Sequence, residues 1–177
     1  LSPEMYPKVS ATWTLSDESF WNMDLINSLR FRGAWGAAGR QPDAFAGRNQ
    51  YSVIPGPSGT TSLDPSQPGN SEVGPERSTE LELGFDVALL EDRISSEFSW
   101  YSRSTEGALL SVPLPPHEGF SGSVQRNLGE LANWGWEVSV DSEIYQSPAF
   151  SFNLFVSGSY TMNEIKSLGD FPGTRSI

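Results

Sequence analysis

The sequence predicts an all-β fold, an antiparallel meander of about six long strands. Three observations carry this. From Leu81 to Leu89 every second residue is apolar (Leu81, Leu83, Phe85, Val87 and Leu89), with Glu82, Gly84, Asp86 and Ala88 between them. After the acidic turn Glu91-Asp92 the alternation resumes, with Ile94, Phe98 and Trp100 on one side and Ser95, Glu97, Ser99 and Tyr101 on the other. Successive side chains leave a sheet on opposite faces, so period two reads as strand, and two such runs joined by a tight turn make a hairpin. Third, 17 Gly, 13 Pro and 6 Trp supply the turns and the aromatic content of a β protein.

The elements follow in order. A strand is expected near 5–15, where Val9, Ala11, Trp13 and Leu15 alternate with Lys8, Ser10, Thr12 and Thr14. Pro7 stands before the alternating run, at a position where a strand tolerates proline. Residues 25–37 form the second strand, with Leu29, Phe31 and Trp35 opposing Arg30, Arg32, Ala34 and Gly36. A long Pro/Gly/Ser-rich loop follows at 38–77, with room for a brief strand only at Asn49 to Ile54. Loops of this length are uncommon inside compact domains and usually functional or disordered. The hairpin described above occupies 78–90 and 93–112, and a second Gly-rich loop 115–123. The last two strands are expected near 124–144 and 149–165, the first of them bent near Gly129 or Gly135.

Composition sets further bounds. The chain of 177 residues has a formal net charge of -11 and a pI of about 4.4, which argues against a nucleic-acid partner. It contains no cysteine and one histidine, so no disulfide, thiolate site or zinc centre is expected, and no cofactor. No run approaches the ~18 apolar residues of a spanning helix. That excludes a helical membrane protein and leaves a membrane barrel open, because barrel strands hide their hydrophobicity in alternation. The start at Leu1 without a Met or signal peptide suggests a piece of a longer protein.

The connections also speak for a barrel. The turns at Leu90–Arg93 and Tyr145–Ala149 are short, whereas those at 38–77 and 115–123 are long. Alternation of short and long connections along a meander is the arrangement of outer-membrane barrels, and strands of about ten residues suit a tilted crossing.

Four segments carry a family resemblance. Leu29-Arg30-Phe31-Arg32-Gly33-Ala34-Trp35-Gly36-Ala37-Ala38-Gly39-Arg40-Gln41 resembles the strand-to-loop "LRxSYGxTGNQ" segment of SusC/RagA-type TonB-dependent outer-membrane transporters, with Trp35 where Tyr is usual and Arg40 where Asn is usual. Pro7 to Leu15, with Glu18 and Phe20, is similar to the strand before it. Glu76 to Glu80, Gly84-Phe85-Asp86 and Asp92-Arg93-Ile94-Ser95 are similar to that family's "E…T…xxGxDFxxxxxRxS" hairpin. Asn127 to Glu137 matches its "NxGxxxNxGxE" motif. The four stand in the family's order over roughly residues 5 to 165.

The resemblance implies a segment of the C-terminal barrel region of a TonB-dependent receptor with about 22 strands. It also implies a location in the bacterial outer membrane and import of oligosaccharides or peptides. The implied partners are a SusD-like surface lipoprotein lid and the TonB-ExbB-ExbD system, reached through a plug domain missing from this sequence.

In this reading Leu81, Leu83, Phe85, Val87, Leu89, Trp100, Val138 and Leu154 meet outer-membrane lipid. Arg30, Arg32, Glu80, Glu82, Asp86, Glu97 and Glu137 face the lumen, with Asp141 and Glu143 on the same polar rows. The six Trp with Tyr101, Tyr145 and Tyr160 form an aromatic girdle. Ligand- or lid-contacting candidates are Phe45, Arg48, Asn49 and Tyr51 in the first long loop and His117 and Phe120 in the second, since an aromatic beside polar groups suits a sugar or peptide. No nucleophile–base pair stands at a usable spacing, so no enzyme activity is expected. The alternative reading is a soluble β-sandwich acting as a carbohydrate-binding module.

Overall fold

A computed structural model describes residues 4–115, 117 and 122–169. Six long strands form one sheet in the order β1-β2-β5-β6-β9-β10, antiparallel throughout. They are β1 (Lys8–Thr14), β2 (Ile26–Arg40), β5 (Glu76–Leu89), β6 (Ile94–Glu106), β9 (Glu130–Gln146) and β10 (Ser151–Ser167). Two separate two-stranded ribbons complete the structure. β3 (Gln50–Pro55) pairs with β4 (Thr61–Gln67), and β7 (Leu109–Pro113) with β8 (Ser123–Asn127).

The chain divides into two compact units. One gathers Leu1–Ala38, Thr79–Ser104 and Ala132–Glu164, and holds most of the six-stranded sheet. The other gathers Gly39–Ser78, Thr105–Leu131 and Ile165–Ile177, and holds both ribbons.

Within the sheet the alternating residues sort as the pleat requires. β1 and β2 run in register from Lys8 opposite Gly36 to Thr14 opposite Arg30, which sets Trp13 against Phe31. β1 is shorter than the 5–15 expected, because the chain turns into a 3-10 turn at Leu15–Asp17. There the Trp13 indole donates to Glu18 Oε1 at 2.8 Å and fixes the exit.

The turn between β5 and β6 has an unusual backbone. Leu90, Glu91 and Asp92 all lie at positive φ (56, 59 and 64°). A non-glycine residue in the left-handed region costs about 1–2 kcal/mol. The turn is held by Leu90 N–H donating to Leu25 O (3.1 Å) and Glu91 N–H donating to Asn27 Oδ1 (2.8 Å). Both bonds use backbone donors and survive a change of side chain. Leu90→Gly in the full-length protein is therefore expected to gain about 1 kcal/mol, read as a higher denaturation midpoint after refolding into vesicles. An unchanged or lower midpoint would show that the left-handed conformation carries no cost here.

Three expectations need correction. The loop at 38–77 is shorter and more ordered than expected: β2 continues to Arg40, and the brief strand expected at Asn49 to Ile54 is β3, paired with a second strand, β4, that was not expected. The strand expected at 93–112 is two strands, because Gly107 at φ 60° breaks it after Glu106. The strand expected at 124–144 is likewise divided, by Gly129 at φ 86°. In both cases the pieces beside the glycine belong to different sheets, so the alternation continues in sequence while the pairing partner changes.

Buried apolar residues are few and small: Ala37, Ala46, Ala108, Val112 and Val124. The apolar rows of the large sheet stay open, with Leu83 48% and Leu154 45% exposed. A β-sandwich would bury such rows against a second sheet. This sheet instead presents a two-sided wall, apolar on one face and charged on the other.

Candidate functional site

The polar face of the sheet is built around Asp86. Arg30 Nε and Nη2 each reach Asp86 Oδ2 at 2.7 Å. Arg32 Nη2 lies 3.0 Å from Oδ1, an ion-pair contact that is not aligned as a hydrogen bond. Two guanidiniums thus share one carboxylate whose side chain is only 17% exposed. Arg32 Nη2 also donates to Ser99 Oγ at 3.3 Å. That bond runs from β2 to β6 over the intervening β5, and Gly84 makes the crossing possible. A Cβ at Gly84 would stand 2.7 Å from Phe98 O, 3.2 Å from Ser99 Oγ and 3.4 Å from Arg32 Nη2.

A second crossing repeats the device. Tyr101 Oη and Thr161 Oγ1 share a hydrogen bond of 2.8 Å that joins β6 to β10 over β9. Beneath it lies Gly135, where a Cβ would overlap Tyr160 O and come within 2.7 Å of Tyr101 Oη. Asn133 Nδ2 donates to Asn163 Oδ1 beside it. Tyr101 therefore sits on the polar face and not in the aromatic girdle expected for it. Its odd-numbered place in β6, beside Glu97 and Ser99, decides its side, and its aromatic character does not.

Further along this face, Arg103 pairs with Glu80 at 2.7 Å with both side chains well exposed, which contributes little stability. Glu97 and Glu137 line a trough of about 480 Å³ with Ser99, Ser139, Ser157 and Ser159. Glu82 lies exposed on β5. Arg93, at the end of the turn, donates to the Glu143 and Ile144 carbonyls at 3.2 Å.

The opposite face is apolar. Phe85 lies 6.4 Å from Phe31 and 5.5 Å from Phe98, centroid to centroid. Tyr160 contacts Trp134 (5.6 Å) and Trp136 (6.4 Å). By alternation Leu81, Leu83, Val87 and Leu89 share the face of Phe85, Trp100 that of Phe98, Val138 that of Trp136, and Leu154 that of Tyr160.

The second unit holds the loop candidates. Phe45 is 69% exposed at φ 67°, Tyr51 is 55% exposed, and Arg48 and His117 are exposed. On the ribbon Tyr51 stands opposite Pro65 and Val53 opposite Leu63, so one of its faces is an open apolar strip. Asn49 is exposed, and its Oδ1 accepts from Gly69 N–H at 2.8 Å. Phe120 lies outside the described residues.

What sequence reasoning missed are the side chains that bind this unit together. Asn127 Nδ2 donates to Gly74 O (2.8 Å) and Gly107 O (2.9 Å), and its Oδ1 accepts from Gly74 N–H (2.7 Å). Gln125 exchanges two bonds with Asp43, and Asn70 Nδ2 donates to Gln125 O. The signal for Asn127 was present, since it opens the Asn-x-Gly run. Asp43 and Gln125 carried no such signal. Among the described residues no group of His, Cys, Asp and Glu is placed to hold a metal ion.

Comparison with known proteins gives a consistent picture. The family model described as TonB dependent receptor-like, beta-barrel matches residues 4–175. The chain is similar to TonB-dependent receptor P39 of Formosa agariphila, 28% identical over 176 residues that cover 95% of this chain and 16% of that protein. It is also similar to TonB-dependent receptor SusC of Bacteroides thetaiotaomicron, 28% identical over 174 residues, 92% of this chain and 17% of SusC. The chain thus spans about a sixth of the length of these relatives. Among solved structures it superposes on the RagAB peptide transporter with a TM-score of 0.84 at 22% identity, covering 94% of this chain and 18% of that one. On the RagAB peptide importer in its open-open state the score is 0.80 at 23% identity, covering 96% and 18%. At such identities the structural likeness speaks for the fold.

Proposed function

Because this chain belongs to the TonB dependent receptor-like β-barrel family, we propose that it supplies wall strands and outward loops of an outer-membrane transporter that imports glycans or peptides. Its relatives are receptors, not enzymes. The two-sided wall carries the reading, with open apolar rows on one face and charge on the other. Leu81, Leu83, Phe85, Val87, Leu89, Trp100, Val138 and Leu154 face lipid, where apolar side chains cost nothing to expose. Arg30, Arg32, Glu80, Glu82, Asp86, Glu97 and Glu137 face a wet lumen, where their charge stays solvated or paired.

Antiparallel order puts the connections at 41–75 and 107–129 at one end of the sheet and the short turns at the other. The long connections point outward, following the pattern of such barrels. Phe45, Arg48 and Tyr51, with the strip of Val53 and Leu63, contact the solute or a SusD-like lipoprotein lid, and His117 belongs to the same outward surface. TonB-ExbB-ExbD drives the import through a plug domain carried elsewhere in the protein.

Labelling of the full-length protein on intact cells tests this. The chain itself has no cysteine. Ser58→Cys, at the tip of the first ribbon, should react with a membrane-impermeant maleimide, and Glu91→Cys, in the short turn, should react only after the outer membrane is opened. Recovery in a soluble fraction, or the reverse labelling, would refute the topology. Deleting the receptor gene should abolish growth on at least one oligosaccharide or peptide mixture, and wild-type growth on all of them would refute the transport role.

A further inference from the structure

We propose that the two long connections operate as one body, pinned by Asn127, so that loosening either one loosens both; this rests on the transport reading above. Side chains tie each connection to the other. Asn127 in the second connection pairs with both the N–H and the C=O of Gly74 in the first, at 2.7 and 2.8 Å, much as a neighbouring strand would. Its second amide hydrogen goes to Gly107 O, at the point where β6 ends.

Around this pin stand independent ties. Asp43 and Gln125 exchange bonds of 3.0 and 2.6 Å, and Asn70 Nδ2 reaches Gln125 O at 2.9 Å. Where β5 begins, Glu76 Oε2 accepts from Leu109 N–H of the second connection at 3.0 Å. The small buried core is drawn from both connections, with Ala46 from the first and Ala108, Val112 and Val124 from the second. Neither ribbon has the third strand that independent stability requires. Each takes its order from the other, so opening one removes hydrogen-bond partners from the other, and the two form one cooperative unit. A solute or lid that binds the first connection then meets a surface already ordered by the second, which lowers the entropic cost of capture.

Hydrogen exchange on the full-length receptor in nanodiscs tests this without any solute. In the wild type, amides of 70–75 and 107–112 should exchange at matched rates. Asn127→Ala should accelerate both sets at least tenfold while β5 and β6 keep their protection. Acceleration confined to 122–128 would overturn the proposal. If Asn127→Ala does not assemble, Asp43→Ala replaces it and should accelerate 122–128 in the opposite connection. Acceleration confined to 39–49 would then overturn the proposal. Growth of the wild type on oligosaccharide and peptide mixtures reports separately on transport, so loss of coupling and loss of the transport reading are distinguishable.

Discussion

Gly135→Val is expected to abolish assembly of the full-length barrel. A Cβ at 135 would overlap Tyr160 O on the neighbouring strand and press against the Tyr101 ring, 2.7 Å from its oxygen and 2.9 Å from Cζ. Neither neighbour can give way cheaply. Tyr160 O is backbone, and moving Tyr101 breaks its bond to Thr161. Overpacking commonly costs about 1–3 kcal/mol, and a clash with backbone that splays β9 from β10 belongs at or above the top of that range. The folded, heat-modifiable band of the receptor in the outer-membrane fraction should fall at least tenfold. Gly74→Ala is the control, because a Cβ there meets nothing within 4 Å, and it should assemble like the wild type. Normal assembly of Gly135→Val would mean that β9 and β10 are not packed as described.

If the proposed lipid face is right, Leu83→Arg and Val87→Arg are expected to destabilise the assembled barrel by about 2–4 kcal/mol each, the cost of a cationic side chain at the bilayer midplane. Leu83 lies on the face of Phe85 and Phe31, 48% exposed, with its Cδ2 3.5 Å from where a Cβ of Gly33 would be. Glu82→Arg, one residue away on the opposite face, should cost far less. Urea titrations of full-length protein refolded into vesicles would show the contrast as a lower midpoint for the first two and not the third. Equal midpoints for Leu83→Arg and Glu82→Arg would sink the assignment of that face to lipid.

The long strands were legible because alternation is a strong signal over ten or more residues. Glu82, Asp86 and Glu97 each announced the polar side of their strand, and the six-stranded sheet follows from them. The ribbons were legible only in part. A brief strand was expected at Asn49 to Ile54, where β3 lies, but Pro57 and Pro65 make its partner β4 read as loop; a two-stranded ribbon leaves outer edges unpaired, where a missing N–H costs no ladder bond. The break at Gly107 was hidden because a positive φ leaves no trace in hydropathy, and at Gly129 a bend was expected where the strand in fact divides. Tyr101 shows two signals in conflict. Its position parity pointed to the polar face and its ring to a girdle, and parity governs because the pleat leaves no choice of side. In the loops, Asn49 looked like a free polar group but caps Gly69 N–H, and the bonds of Asp43 with Gln125 span a sequence separation that no local pattern reveals.

The two strand-skipping bonds have a mechanical consequence. Arg32 to Ser99 passes over β5 at Gly84, and Tyr101 to Thr161 passes over β9 at Gly135. A pleated wall normally yields like a zipper, shedding one strand per step under load. Here neither β5 nor β9 can be drawn out alone without breaking the strap across it. Pulled from one edge, the wall from β2 to β10 should resist as one piece, because both straps meet on β6. A wall strapped in this way can stay rigid while tension is applied to whatever lies inside it.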